Sequence, residues 1–401
     1  MKTIFRISLI VSALALPLCS CSDFLEKEPL SQGTEAIVFK TPEHFEQAAN
    51  ALYNMNGWRN LNGKGFEGSA VDQNTDINGL TSNGGGTVQE SDWHWDKPYS
   101  HIRTCNILLA KANEYDGNQE DIAQSVGTAY FFRAWQHFYL LQYFGGIPIV
   151  DHVLDVSDPV LFGVRNSRYE VIDFIASDLR LAIPLLPKEK DIPESDKGKV
   201  SKEAAKAFLA RVLLYEGTWE KYVPSINYDL DGDGKNDGAG SVKPDNYPSI
   251  TDMLTEAKQM AKEVIEEAQT GTFALWEECD TLSYYYLFNI DDKGGNISNF
   301  RNAGKSSNKE FIFYKKYDYD LARGGINLVH SVLSGYVTNM SAQFGESFLC
   351  RNGLPIRISY TGNMADAQNN PQFLGYETFV GEFRNRDYRF IGCCNSIPDR
   401  I

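Results

Sequence analysis

The sequence predicts a mostly α-helical protein: a scaffold of helical hairpins, followed by a loop-rich, irregular half containing short strands. Two observations carry that prediction. From Thr41 to Thr270, apolar residues recur at helical spacing between capping residues and Gly or Pro stops. Beyond Gly271 the texture changes to aromatic and polar clusters separated by Gly/Asn/Ser runs. The 401-residue chain is 42% hydrophobic and 12% aromatic, ample for a large core. Its formal net charge of −15 would repel phosphate backbones and anionic lipid, which argues against nucleic acid and for a neutral ligand.

The N-terminus comes first. Lys2 and Arg6 precede an apolar stretch from Ile7 to Leu18, the charged and apolar regions of a secretory signal over residues 1–20. Leu18-Cys19-Ser20-Cys21 resembles the bacterial lipobox, in which a Leu at −3 and a small residue at −1 precede the lipidated Cys. Cys21 fits that pattern, whereas Cys19 has Leu18 at −1 and does not. Residues 21–40, acidic and Pro/Gly-bearing, then read as a lipid-anchored tether. No other apolar run approaches the ~18 to 20 residues of a spanning helix, so the lipid is the expected membrane attachment. The other cysteines, Cys105, Cys279, Cys350, Cys393 and Cys394, are odd in number and scattered without a C-x-x-C. They read as small buried hydrophobes rather than a disulfide framework or a zinc site.

The scaffold is assigned to residues 41–270. Thr41-Pro42-Glu43 announces its first helix with a cap, a Pro at the first helical position and an acid in the first turn; Phe45, Ala48, Ala49 and Leu52 form its apolar face. Residues 54–90 are polar and glycine-rich, a long loop of the kind that carries function. Helical spacing resumes from Ser91 to Tyr115, with Tyr99, Ile102, Asn106 and Leu109 on one side. The stretch from Gln119 to Phe144 is apolar around most of its circumference, hence a central buried helix, ended by Gly145-Gly146 and Pro148. Two more helices are expected at Ser167–Ile183, stopped by Pro184, and Ser201–Tyr215, stopped by Gly217. In the latter, Ala204 and Phe208 stand in the A-x-x-x-F relation of tetratricopeptide helices, although the full repeat signature is absent. An acidic insertion at 224–248 leads to a helix from Ile250 to Ala268. In residues 271–401, Tyr284-Tyr285-Tyr286 and Phe311-Ile312-Phe313-Tyr314 read as short strands among long loops.

These segments resemble, in order and spacing, the SusD/RagB family of outer-membrane nutrient-binding lipoproteins. The matching stretches are C-S-D-F-L at Cys21, T-P-E-H-F-E-Q-A-A-N-A-L-Y at Thr41 and W-D-K-P-Y-S-H-I-R-T-C-N-I-L-L at Trp95. They continue with A-Y-F-F-R-A-W-Q-H-F-Y-L-L-Q-Y-F-G-G-I-P-I-V at Ala129, G-K-V-S-K-E-A-A-K-A-F-L-A-R-V-L-L-Y at Gly198 and N-K-E-F-I-F at Asn308. L-C-R-N-G-L-P-I at Leu349 and N-R-D-Y-R at Asn385 complete the set. The resemblance implies tetratricopeptide-like hairpins as scaffold and an irregular half carrying the ligand surface. It also implies a surface protein that binds oligosaccharide and hands it to a TonB-dependent, SusC-like outer-membrane transporter. Members of the family continue well past the N-R-D segment, whereas this chain stops at Ile401, so a truncated last part of the fold is expected.

The sequence holds no H-E-x-x-H, G-x-S-x-G, P-loop or dinucleotide fingerprint. A glycosidase pair among the 53 acids is a weaker alternative, as is capture of peptide or another nutrient in the RagB manner. Asp229, Asp231, Asp233, Lys235 and Asp237 occupy positions 1, 3, 5, 7 and 9 of an EF-hand-like loop with Gly234 at position 6, which would suit Ca2+; position 12 is Gly240, not Glu. An acidic, turn-rich loop without metal is the competing reading. Sugar rings need flat apolar faces together with amides and acids for their hydroxyls. The candidates are Trp93, which ends the glycine-rich loop, with Asp72, Asp76 and Asn83 upstream, and Trp276, Tyr284 and Tyr285 in the irregular half. Trp95 and Trp135 are read as core, and the isolated histidines as structural.

Overall fold

The computed structural model describes residues 39–53, 92–223, 243–277, 283–289, 308–314, 341–378 and 381–390. Among these, six helices build the scaffold: α1 Pro42–Ala51, α2 Trp93–Asn113, α3 Gln119–Phe144, α4 Arg168–Leu185, α5 Lys202–Tyr222 and α6 Ile250–Ala268. Capping explains where they begin. Asp92, Asn118, Ser167, Ser201 and Ser249 each accept a backbone N–H from the first turn, and Ser167 with Glu170 and Ser249 with Asp252 close reciprocal capping boxes. Helices adjacent in the chain pack on each other, α2 on α3, α3 on α4, α4 on α5 and α5 on α6, while α1 lies against α3. That is the hairpin array expected from the sequence.

α3 is the centre. Phe131, Phe132, Ala134, Leu140 and Leu141 are all buried within one continuous apolar cluster contributed by α1 through α6. Phe131 meets Phe132, Trp135 and Phe208, and the A-x-x-x-F pair on α5 lies in the core, with Ala204 and Phe208 both buried. Among the described residues, no helix is long and apolar enough to cross a membrane.

Two stop signals are overridden. Pro184 lies inside the last turn of α4, which Leu186 N–H closes onto the Ala182 carbonyl at 3.2 Å around buried Ala182 and Leu186. Gly217 lies inside α5, which runs on to Tyr222, because a Cβ there would sit 3.0 Å from Leu254 Cδ2 of α6. It is a glycine of close helix approach, not of termination.

The irregular half also departs from the strand expectation. Ser283–Asn289 forms a short helix, α7, with Ser283 and Leu287, four residues apart, buried on one face. Tertiary packing there outweighs the β-propensity of three consecutive tyrosines. Phe311 to Tyr314 is not a strand either: Ile312 and Phe313 pack against the scaffold core, Phe313 meeting the ring of Phe131 at 5.4 Å. The described strands are β1 Arg357–Ile358 and β2 Gln368–Asn369, a two-residue antiparallel pair with Arg357 opposite Asn369. Near them lies helix α8, Ala342–Ser347, whose end is tied by Arg386: the buried guanidinium donates to the carbonyls of Gly345 at 2.7 Å and Phe348 at 2.8 Å.

Candidate functional site

Residues 145–166, the connection between α3 and α4, cross the surface of the helical array with little regular structure. A segment without helix or sheet partners must satisfy its backbone elsewhere. Here side chains of α2 and α3 do so. The Tyr99 hydroxyl donates to the Pro148 carbonyl at 2.8 Å, and the Asn106 amide donates to the carbonyls of Val150 and His152 at 3.0 and 2.8 Å. Arg133 donates to the Asp151 carbonyl at 2.7 Å and to Asn106 Oδ1 at 2.8 Å. Its remaining nitrogens grip both carboxylate oxygens of Asp178 on α4 at 2.7 Å, a bidentate pair in the core.

His137 completes this buried frame. Its Nδ1 faces the Arg133 carbonyl at 2.8 Å and its Nε2 accepts the Val150 N–H at 3.4 Å, which assigns the neutral, Nδ1-protonated tautomer. Burial accordingly pushes its pKa down to about 3. Burial likewise raises the Tyr99 phenol and the Cys105 thiol, so both stay neutral near pH 7. Cys105 and Cys350 are free and buried, as anticipated for them.

Between α2 and this connection opens a cleft of about 430 Å³. Trp95, Tyr99, Pro148, Val150, Leu154, Val160 and Leu161 line it, and Asp96, Arg103 and His152 bring charge to it. Trp95 is fixed edge-on against Phe144 at 5.0 Å and under the Arg165 guanidinium at 5.2 Å. Arg103 reaches across to the Leu154 carbonyl at 3.4 Å. The His152 ring stands between two carboxylates, with Nδ1 2.6 Å from Asp151 and Nε2 2.6 Å from Asp158, and these hydrogen bonds raise its pKa. An apolar cleft with a few convergent polar groups is the chemistry of a small-molecule site.

The residues singled out from the sequence are not gathered there. Cys21, Asp72, Asp76 and Asn83 lie outside the described residues, as do Asp229, Asp231, Asp233, Lys235 and Asp237. Trp93 opens α2 and Tyr285 lies within α7, but their side chains are outside the described ones. Tyr284 is half-buried on α7. Trp276 is a correction to the expectation of an exposed stacking face: its ring is 6% exposed and packs with Leu287 and Tyr286 in a small satellite core. Its backbone N–H donates to the Glu310 carboxylate at 3.0 Å. Among the described residues no cluster of three or more His, Cys, Asp or Glu side chains is arranged to hold a metal.

Arg103, His152 and Leu161 were not among the sequence candidates. The signal was present in two places. Arg133 interrupts an otherwise apolar helix, and a buried cation demands partners. His152 sits in D-H-V-L-D-V-S-D, one and six residues from acids that a compact turn brings to its ring.

The fold is that of SusD-like structures. It is shared with a SusD-like carbohydrate-binding protein of Bacteroides fragilis, at a TM-score of 0.53 and 19% identity, covering 88% of this chain and 60% of that one. A second SusD-like structure from the same organism matches at a TM-score of 0.54 and 17% identity, over the same shares. Residues 23–214 match the SusD-like family model described as starch-binding and associating with the outer membrane. A SusD-like protein of Bacteroides ovatus is 25% identical over 301 residues, 72% of this chain and 54% of the relative. SusD-like protein P2 of Formosa agariphila is 25% identical over 247 residues, 58% of this chain and 47% of the relative. The chain thus spans about half the length of these curated relatives. Over these shares the chain is similar to SusD-like proteins.

Proposed function

We propose that the protein is a non-catalytic, lipid-anchored cell-surface binding protein that captures oligosaccharide at the outer membrane and passes it to a TonB-dependent, SusC-like transporter. The observation that carries this reading is the open cleft on a SusD-like scaffold, where Trp95, Val160 and Leu161 offer apolar surface and Asp96 and Arg103 offer hydroxyl partners. Cys21 is the lipid attachment point in this reading, and the Asp229–Asp237 loop holds Ca2+ that orders the acidic insertion. The deciding experiment is incubation of the purified protein with labelled neutral polysaccharides. Retention on an affinity gel without released product supports capture; release of shorter oligosaccharides would instead make the protein a hydrolase. Recovery of a transporter in pull-downs from outer membranes, loss of membrane attachment in Cys21→Ser, and calorimetric Ca2+ binding abolished by Asp231→Ala test the remaining parts.

A further inference from the structure

The segment Leu154 to Leu161 leans on the scaffold core through Leu154 and Val160, and its own turns are closed by Asp158 N–H to the Asp155 carbonyl and Leu161 N–H to the Asp158 carbonyl, both at 3.0 Å. Arg103 holds the Leu154 carbonyl, and the Asp158 carboxylate does two things at once: Oδ1 accepts the Val160 N–H at 3.0 Å, starting the 3₁₀ turn Pro159–Leu161, and Oδ2 meets His152 Nε2. The other His152 nitrogen meets Asp151, whose own carbonyl is pinned by buried Arg133. A continuous chain of contacts therefore runs from the core pair Arg133–Asp178 through Asp151, His152 and Asp158 to the turn carrying Val160 and Leu161. With a carboxylate at each ring nitrogen, both bonds form only while the imidazole carries two protons.

We infer that the Asp151–His152–Asp158 clasp is a proton-operated latch on the cleft: closed, it holds the wall of Val160 and Leu161 in place, and loss of the imidazolium charge releases that wall. This regulation rests on the cleft being the ligand site. The charged groups facing His152 are Asp151 and Asp158 on its own segment, with Arg103 and Asp96 of α2 at the cleft and Arg133 of α3 behind it.

The direction follows from linkage. The folded His152 titrates above its usual 6.5 because Asp151 and then Asp158 bind its protonated ring. The clasp's contribution is complete below 6.5 and is lost as pH rises through the raised value. Asp158 is held below the usual carboxylate range, chiefly by His152, so at the acid end the clasp persists until pH falls through that lowered value.

The test needs no glycan. Histidine side-chain NMR of the full chain should show His152 titrating above 6.5, and Asp158→Asn should lower that midpoint. Protection of the Val160 amide from hydrogen exchange, corrected for intrinsic rate, should fall several-fold across the same midpoint. In His152→Gln, which replaces a half-exposed side chain, protection should be low and independent of pH. An unshifted midpoint, Val160 protection that stays level through it, or the same fall in His152→Gln would each overturn the latch. Failure of the latch leaves oligosaccharide capture standing, and absence of glycan binding leaves the NMR result interpretable.

Discussion

In the helical scaffold, backbone groups pair within each helix, and side chains from α1 to α6 merge into one apolar core around α3. Between residues 341 and 390 the roles are exchanged: side chains hold the backbone. Arg386 caps the end of α8, and Asn370 donates to the carbonyls of Leu354 and Pro355, in a region whose described regular structure includes a short helix, a 3₁₀ turn and a two-residue strand pair. Its aromatic rings reflect the difference, with Tyr360 80% exposed while Phe131 is fully buried. A densely packed array resists displacement everywhere, whereas a polar-tied segment is only as firm as its individual ties. The cleft combines the two. Trp95 and Tyr99 come to it from a scaffold helix, and Leu154 to Leu161 come from a connection that rests on the core and is also held by polar ties.

The largest expected contrast comes from two buried arginines. Arg168 meets Glu216 at 2.6 Å in the scaffold, with Glu216 fully buried and Trp219 stacked on the guanidinium at 4.0 Å. Arg168→Ala leaves an unpaired buried carboxylate and should cost about 3–5 kcal/mol of global stability, read by chemical denaturation. Arg386→Ala leaves carbonyls rather than a charge, and should cost about 1–3 kcal/mol, seen chiefly as faster hydrogen exchange around residues 341–390. Equal global losses in the two variants would erase the distinction between the regions.

Acid should next weaken the scaffold through His137. Its folded pKa is held down to about 3 by burial, so the unfolded chain takes up a proton first, near 6.5. The contribution is full above pH 6.5 and declines by about 1.4 kcal/mol per pH unit below it, a slope that His137→Gln should flatten in denaturation curves at pH 7, 6 and 5. A smaller effect is expected at Gly217, where Ala would press on Leu254 while gaining helix propensity: about 0–2 kcal/mol net, measurable as a lowered Tm. Ala at the exposed Tyr360 should stay within about 0.5 kcal/mol of the parent.

The scaffold was largely legible in the sequence. Gln119–Phe144 and Ile250–Ala268 have the bounds that capping and periodicity predict, because local signals and burial agree there. Pro184 and Gly217 misled because each serves packing between helices, which a single segment does not display. Trp276 misled for the converse reason: an aromatic residue in polar surroundings suggests exposure, yet Trp276 and Leu287 bury each other across ten intervening residues. The cleft was hidden because its wall residues lie in different elements, and Tyr99, Arg103, Asn106, Arg133 and His137 together place the connection that closes it.

The central claim is that oligosaccharide sits in the cleft between α2 and residues 148–161. Titration calorimetry with the neutral oligosaccharide retained in the affinity experiment tests it, comparing the parent, Leu161→Asp in the cleft and Tyr360→Ala in the polar-tied part. The account predicts that Leu161→Asp loses at least ten-fold in affinity, about 1.4 kcal/mol, with an unchanged Tm, while Tyr360→Ala binds as the parent does. Parent-like binding by Leu161→Asp, with affinity lost in Tyr360→Ala, would move the site to the loop-rich half and contradict it.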